Sequence, residues 1–340
     1  MNPIVLAIPV FILLMLLEYW LMRLQGKSVY RFHETLGNIY CGMGQLFVDA
    51  LFKLPLIALY AVVLEHSSLL HFKLASPWLH YGLLFVVIDL IFYLNHRLCH
   101  TNKWLWAIHG VHHQSEDYNY SVGLRMPWWH KVVSFWTPLP LALMGFSIQD
   151  YILVISGHAA IQIWTHTQLF EKRIPIFEWF FVTPSHHRVH HGKNKRYIDK
   201  NFAGVLSVWD YLFKSYEPES EKVVFGVHRV QSHTNPLNAN LIQFFPKLMA
   251  PIKRVELKTF EKTLLTILSL GLILALTAFL SQESAFSGEE KLLIVLAGLS
   301  LMAFFGSWVD RGLSSLGVVV PKMVPRLGLV SMLMCLLALL

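Results

Sequence analysis

The chain has 340 residues, of which 55% are hydrophobic and only 14% are charged, and its mean hydropathy is +0.49. Soluble domains carry roughly 25% charged residues, so this composition excludes an ordinary soluble protein and indicates an integral membrane protein. The formal net charge is +7. In a membrane protein, an excess of Lys and Arg is typical of loops that face the cytoplasm. The positive charge therefore does not indicate nucleic-acid binding, and we predict no nucleic-acid partner.

Six apolar stretches are long enough to cross a bilayer as a helix, which takes about 20 residues. In chain order they cover residues 4–24, 42–64, 78–94, 264–280, 292–308 and 327–340. A shorter pair, 132–146 and 151–165, predicts two abutting helices or a membrane hairpin over 132–165. The first stretch contains Glu18 and lacks a small-residue cleavage site, so we expect a retained anchor rather than a signal peptide. The predicted fold class is an all-α, polytopic membrane bundle.

The basic residues predict which ends of these helices face the cytoplasm. Residues 171–262 hold 15 Lys and Arg against 9 Asp and Glu, and Arg23, Lys27 and Arg31 follow the first stretch. Because cytoplasmic loops carry an excess of Lys and Arg, we expect the N-terminus outside and residues 166–262 inside. The membrane is the inner membrane for a bacterial source and the endoplasmic reticulum for a eukaryotic one.

Three regions follow from the distribution of apolar and polar residues. Residues 1–95 are predicted to be anchor helices, residues 96–262 to be the catalytic region with the hairpin 132–165, and residues 263–340 to be further transmembrane helices. The residues able to bind a metal or take part in catalysis are concentrated in the second region.

Histidines cluster at three places in that region, "HRLCH" (96–100), "HGVHH" (109–113) and "HRVHH" (187–191). Their spacings are i, i+4 and i, i+3, i+4, which place the side chains on one face of a helix. Eight imidazoles near the membrane boundary are costly to retain without partners. The pattern therefore predicts a histidine-rich site for two metal ions on the cytoplasmic face.

The histidines alone do not choose the metal, because imidazole suits zinc, copper, iron and nickel. Two other classes of protein also use clustered histidines. A metal transporter would place them near the middle of the bilayer between repeats, whereas here they lie at the ends of apolar stretches and no repeat is present. A bis-histidine haem protein needs two axial ligands rather than eight.

The three motifs resemble those of the fatty acid hydroxylase and sterol desaturase superfamily, which are membrane non-haem di-iron enzymes. The likeness covers residues 85–235 and includes "HHQSEDYNYSVGLR" (112–125), "IQIWTHT" (161–167) and "TPSHHRVHHGKNKRYIDKNFAGVLSVWDYLF" (183–213). These segments look like the alkylglycerol monooxygenase branch, which cleaves ether lipids. Fatty acyl, sterol and aminolipid hydroxylases or desaturases are alternatives within the superfamily.

The resemblance implies an O2-dependent lipid monooxygenase with two iron ions, a membrane lipid substrate and an electron donor, either tetrahydrobiopterin or another external reductant. It leaves the oligomeric state open. It also implies a ninth ligand in "WTHT", whereas Gln162 stands where some hydroxylases carry a further histidine. The implied iron ligands are His96, His100, His109, His112, His113, His166, His187, His190 and His191.

Two further sets of side chains are predicted around the ligands. Imidazole ligands usually donate their second N–H to a carboxylate or carbonyl, so Glu116, Asp117 and Asp210, together with Gln162, are candidates for these outer contacts. Cationic side chains near the motifs could contact a lipid headgroup. The headgroup candidates are Arg125, Lys193 and Arg196.

Overall fold

The computed structural model describes residues 3–67, 76–228, 230–245 and 254–312. Within these residues all regular secondary structure is helical, and the β-pairing consists of two isolated bridges, Gly192 to Phe225 and Val227 to Val230. The predicted all-α class is confirmed.

Thirteen α-helices run through the part of the chain that the structure describes. In chain order they are α1 (Pro3–Leu24), α2 (Phe32–Ser67), α3 (Pro77–Thr101), α4 (Lys103–His113), α5 (His130–Val133), α6 (Leu139–Leu143), α7 (Ile148–Ile163), α8 (Pro175–Glu178), α9 (Pro184–His190), α10 (Val208–Leu212), α11 (Pro236–Leu241), α12 (Thr259–Ser281) and α13 (Gly288–Arg311). Two 3₁₀ turns, Tyr120–Leu124 and Glu283–Ala285, complete the set.

Five of these helices, α1, α2, α3, α12 and α13, are long and apolar enough to cross a membrane. They correspond to the first five predicted stretches, so the chain is an integral membrane protein with a helical architecture. The helices are longer than the apolar stretches, and α2 begins at Phe32 rather than at residue 42. The predicted span 327–340 lies outside the described residues.

The predicted hairpin over 132–165 has two unequal halves. The first half is broken into α5 and α6 around Pro138 and Pro140, whose missing N–H groups prevent a continuous helix. The second half is the 16-residue helix α7, and the Ser147 hydroxyl caps it by accepting a hydrogen bond from the Asp150 N–H at 3.1 Å. The second of the two predicted helices is present, the first is replaced by two short helices, and the membrane hairpin stays a prediction.

The chain divides into two compact units, each built from separated segments. Among the described residues, one contains 3–51, 110–128, 226–228, 230–245 and 254–312, and its core packs α2 against α12 and α13. The other contains Phe52–His109 and Trp129–Phe225, and its core includes Leu84 and Ile88 of α3. The three-part division at residues 95 and 262 stays a prediction.

Close backbone packing in the first unit makes one glycine of α13 sensitive to substitution. A Cβ at Gly306 would lie 2.5 Å from the Cα of Asn235 and 2.6 Å from the Thr234 carbonyl oxygen, whereas a Cβ at Gly271 of α12 would meet nothing within 4 Å. We expect Gly306→Ala to destabilise the protein by about 1–3 kcal/mol through overpacking. Thermal unfolding in detergent measures this, with Gly271→Ala as the matched control; equal melting temperatures for the two variants would contradict the packing.

Candidate metal centre

The first two histidine motifs lie on consecutive helices. His96 and His100 occupy the last turns of α3, and His109 lies on α4. Asn102 separates the two helices: its side-chain oxygen accepts hydrogen bonds from the N–H groups of Trp104 at 2.9 Å and Leu105 at 3.3 Å, which starts α4. One helix therefore ends and the next begins within a few residues, so the side chains of both motifs can converge.

The third motif lies on the short helix α9. Thr183 caps its N-terminus by accepting a hydrogen bond from the His186 N–H at 3.2 Å, and Pro184 occupies the first turn, where no N–H is needed. The helix carries His187 and His190, and His191 directly follows its last residue. His166 lies three residues beyond the end of α7.

All nine predicted ligands fall into two groups whose ligating atoms lie within 4.8 Å of one another. The last turn of α4 supplies one histidine to each group. The first group is His96, His100, His109, His113 and His190; the second is His112, His166, His187 and His191. Every member is buried except His100, which is partly buried. Each of the two groups could hold a metal ion.

Ring nitrogens within each group are spaced as ligands of one ion are. The Nε2 atoms of His96 and His109 are 3.1 Å apart, and those of His166 and His187 are 3.0 Å apart. A metal–imidazole bond of about 2.0–2.1 Å places neighbouring ligand nitrogens roughly 3.0–3.4 Å from each other. The residues present therefore fit a metal ion in each group.

Backbone carbonyls fix the tautomer of four of these histidines. A carbonyl oxygen only accepts, so the Nδ1 facing it carries the proton and the Nε2 lone pair is left for a metal. The four donor–acceptor pairs are His96 to Phe202 (2.7 Å), His190 to Lys200 (3.0 Å), His112 to Arg125 (3.0 Å) and His166 to Gln162 (3.4 Å).

Burial keeps the ligating side chains neutral, which is the form that binds metal. Desolvation lowers the pKa of His166 to about 4. The pKa of His190 falls well below its usual range, first through burial and then through the neighbouring histidines of the first group. At neutral pH both rings therefore present lone pairs rather than positive charges.

Comparison with known proteins agrees with this geometry. A family model described as fatty acid hydroxylase matches residues 81–215, which include every histidine of both groups. The chain therefore contains a fatty acid hydroxylase domain over these residues. It is 37% identical over 235 residues to the alkylglycerol monooxygenase of Homo sapiens (68% of this chain, 50% of that protein) and 34% identical over 230 residues to that of Xenopus tropicalis (67% and 49%).

A bacterial protein is also similar, the ornithine lipid hydroxylase OlsE of Rhizobium tropici, at 27% identity over 139 residues (38% of this chain and 40% of that protein). No solved structure matches the chain significantly. The chain spans about half the length of the alkylglycerol monooxygenases it matches.

The acidic residues predicted to contact the ligands take different positions in the structure. Glu116 and Asp117 pair with Arg31, at 3.4 Å and 2.6 Å, so the structure places these carboxylates on an arginine rather than on a ligand imidazole. Asp210 accepts a hydrogen bond from His186 at 2.9 Å. Burial alone would raise the pKa of Asp210, but its hydrogen bonds and the His186 ring hold it below the usual value.

Gln162 contributes through its main chain as well as its side chain. Its carbonyl faces Nδ1 of His166, while its side-chain amide donates to Nδ1 of His158 at 2.9 Å. The side chain therefore bonds a histidine outside both groups, and the backbone makes the contact to the predicted ligand.

One of the three headgroup candidates lies in the interior. Arg125 is completely buried, so its guanidinium is out of reach of a headgroup at the surface, and this prediction is corrected. The guanidinium is buried because it donates hydrogen bonds to the Val111 carbonyl and the Gln114 side chain at the end of α4. Arg196 is exposed and pairs with Glu217 at 2.6 Å. Lys193 is half-buried, and both stay headgroup predictions.

His233 packs in the same interior as Arg125 and provides a pH-dependent contribution to stability. Burial, followed by the positive charges of Arg125, Arg254 and Arg311, lowers its pKa to about 4, and Asp310 at 3.9 Å is too distant for a hydrogen bond. A histidine with a depressed folded-state pKa binds a proton more readily when unfolded. We expect its stabilising effect to be fully present above pH 6.5 and to be lost as the pH falls towards 4.

Thermal unfolding in detergent across this pH range tests the effect. His233→Gln, which carries no titrating proton, is expected to show a shallower fall in melting temperature between pH 6.5 and 4 than the unsubstituted chain. Parallel curves for the two proteins would show that another group is responsible.

Asp89 is an acidic residue within the apolar stretch 78–94, where a charged side chain is costly and is expected to have a specific partner. The structure shows this carboxylate fully buried and bonded to His158 at 2.6 Å, with further donors from residues 205–209. Asp199, an acidic residue close to the third motif and a further sequence candidate for an outer contact, lies 3.6 Å from Nδ1 of His100.

Proposed function

We propose that the chain is an O2-dependent membrane lipid hydroxylase of the ether-lipid cleaving type, with one iron ion in each histidine group. The observation that carries the proposal is the convergence of nine imidazoles into two buried groups inside the region that matches the fatty acid hydroxylase family. The similarity to alkylglycerol monooxygenases supports an ether lipid as the substrate.

The protein contributes by holding the imidazoles and excluding water from them. The first group would bind one ion through its five histidines and the second group the other through its four. Aromatic rings line the first group. The ring centroid of Phe92 lies 5.3 Å from that of His96, and the centroids of Trp106 and Phe202 lie 5.0 Å and 5.2 Å from that of His100. When bound, the two iron ions supply the oxidising chemistry that attacks an unactivated C–H bond. A dry, apolar surrounding suits such chemistry because it limits side reactions with water.

The position of the motifs supports an enzyme over a metal transporter. His96 and His100 lie in the last turns of α3, at the end of a helix that can cross the membrane. Transporters bind their ions near the bilayer midplane, whereas a lipid hydroxylase needs its metals where a lipid can reach them. We place the site at the cytoplasmic face, with Lys193 and Arg196 as candidate contacts to the lipid headgroup.

The test is to purify the chain without chelators, measure bound iron and record a visible spectrum, and then assay alkylglycerols under O2. The expected result is one iron ion in each of the two histidine groups, without a haem band, together with O2-dependent loss of the ether lipid. Assays with tetrahydrobiopterin, with another reductant and with neither identify the electron donor.

Other outcomes separate the alternatives. Hydroxylation of an ornithine lipid with no action on alkylglycerols would keep the hydroxylase and move the substrate to an aminolipid. A haem spectrum, or a metal-free chain after growth with iron, would contradict the proposed metal chemistry.

A further inference from the structure

Residues 199–206, the clamp segment, contact three of the five histidines of the first group. Nδ1 of His96 donates to the Phe202 carbonyl at 2.7 Å, and Nδ1 of His190 donates to the Lys200 carbonyl at 3.0 Å. Nδ1 of His100 lies 3.6 Å from Asp199. In the second group, His112 and His166 face the carbonyls of Arg125 and Gln162 instead. The clamp segment therefore orients ligands of one group.

Backbone conformation gives the clamp segment its shape. Asp199 and Asn201 both have a φ of 56°, in the left-handed region that Asp and Asn tolerate better than most residues. The Asn201 side-chain amide donates to the carbonyls of His186 at 3.0 Å and Glu217 at 2.9 Å. These bonds hold the turn that places the carbonyls of residues 200 and 202 next to the imidazoles.

Two fully buried carboxylates hold the rest of the clamp segment. Asp210 accepts the N–H groups of Phe202 at 2.8 Å and Ala203 at 2.9 Å. Asp89, on α3, accepts those of Val205 and Leu206, both at 3.0 Å. Hydrogen bonds to a carboxylate are stronger than those between neutral groups.

Each carboxylate is itself fixed by a histidine outside the two metal groups. His186 donates to Asp210 at 2.9 Å, and His158 donates to Asp89 at 2.6 Å. The fit around the clamp segment is tight, because a Cβ at Gly204 would lie 2.8 Å from the Phe92 ring and 3.0 Å from the His158 ring. The two Asp–His pairs thus leave the segment little freedom to move.

We propose that Asp89 and Asp210 are positioning residues that hold the clamp segment and, through its carbonyls, keep His96 and His190 in the Nδ1-protonated tautomer that binds the metal of the first group. The inference rests on the proposed metal function. It adds that the two metal positions have separate outer supports, so that damage to the clamp segment releases one ion and spares the other.

The test compares iron retention in Asp89→Asn and Asp210→Asn with that in Asp150→Asn. Asp150 is the matched control because it also pairs with a histidine, His80, at 3.3 Å. It accepts a further hydrogen bond from the Tyr81 hydroxyl at 2.9 Å, and both of these partners lie outside the clamp segment. An amide offers an N–H group where the segment needs an acceptor. Loss of an outer contact typically weakens metal binding by about 10–100-fold.

The expected result is that both clamp variants lose roughly half of their iron during dialysis against a chelator, by the affinity loss of an outer contact, while Asp150→Asn keeps both ions. Retention of both ions by the clamp variants would overturn the inference, and so would simultaneous loss of both ions from folded protein. A chain without substitutions that binds no metal would contradict the proposed function instead.

A milder variant keeps the test valid if the buried substitutions prevent folding. The Asp199 side chain is 53% exposed, and glycine accepts its φ of 56° without strain. Asp199→Gly is therefore expected to keep the melting temperature and to lose one ion to the chelator faster than the unsubstituted chain. Unchanged rates for both ions would count against the inference in a protein known to be folded.

Discussion

Replacing His187 by alanine is expected to release the metal ion of the second group and to abolish lipid oxidation. Its Nε2 lies 3.0 Å from that of His166, and the two rings are 4.4 Å apart, so the side chain is central to that group. Removal of a direct ligand should lower metal affinity by more than the factor of about 10–100 that follows removal of an outer contact. Iron content and turnover of an alkylglycerol, measured on the same preparation, check both parts of the expectation.

The control for this substitution is His66→Ala. His66 is an exposed histidine at the end of α2, whose ring nitrogen faces the Val62 carbonyl at 3.1 Å, and it belongs to neither group. This variant is expected to keep both ions and full activity. If His187→Ala retains two ions and turns over the lipid, the second group is a structural cluster rather than a metal site.

The sequence indicated which motif histidines share one face of a helix, because their spacing follows helix geometry. A pattern of i, i+3, i+4 fixes one face of α4 or α9 without knowledge of the rest of the fold. His166 has no such local pattern, and only the family resemblance indicated it; the structure brings it within 4.8 Å of three motif histidines. Helix ends were less predictable, as at Phe32, where polar residues of α2 extend the helix beyond its apolar part.

The outer contacts were harder to predict, because main-chain atoms make most of them. The sequence favoured carboxylates beside the ligands, yet four imidazoles donate to carbonyls. Carbonyl positions depend on φ and ψ, which composition does not reveal. Asp210 does support the site, although one step removed, through the N–H groups of the clamp segment. Arg125 was predicted to be a surface cation because the sequence alone does not distinguish a buried arginine from an exposed one.

Replacing Arg125 by methionine is expected to destabilise the protein by roughly 3 kcal/mol or more, because several buried acceptors lose their donor together. The guanidinium donates to the carbonyl of Val111 at 2.8 Å and to the side-chain oxygen of Gln114 at 2.8 Å. It also donates to the side chain of Asn38 at 3.2 Å and to the carbonyl of His233 at 3.3 Å. Methionine fills a similar volume without offering a donor.

Thermal unfolding in detergent measures the loss, and Arg196→Met serves as the control, because that arginine is exposed and is expected to leave the melting temperature unchanged. A melting temperature equal to that of the unsubstituted chain for Arg125→Met would mean that the acceptors find other donors. The Arg125 carbonyl also accepts a hydrogen bond from Nδ1 of His112, so a shift of this backbone should first weaken metal binding by the second group. Selective loss of that ion, opposite to the selectivity expected of Asp89→Asn, would show that each metal position depends on its own part of the backbone.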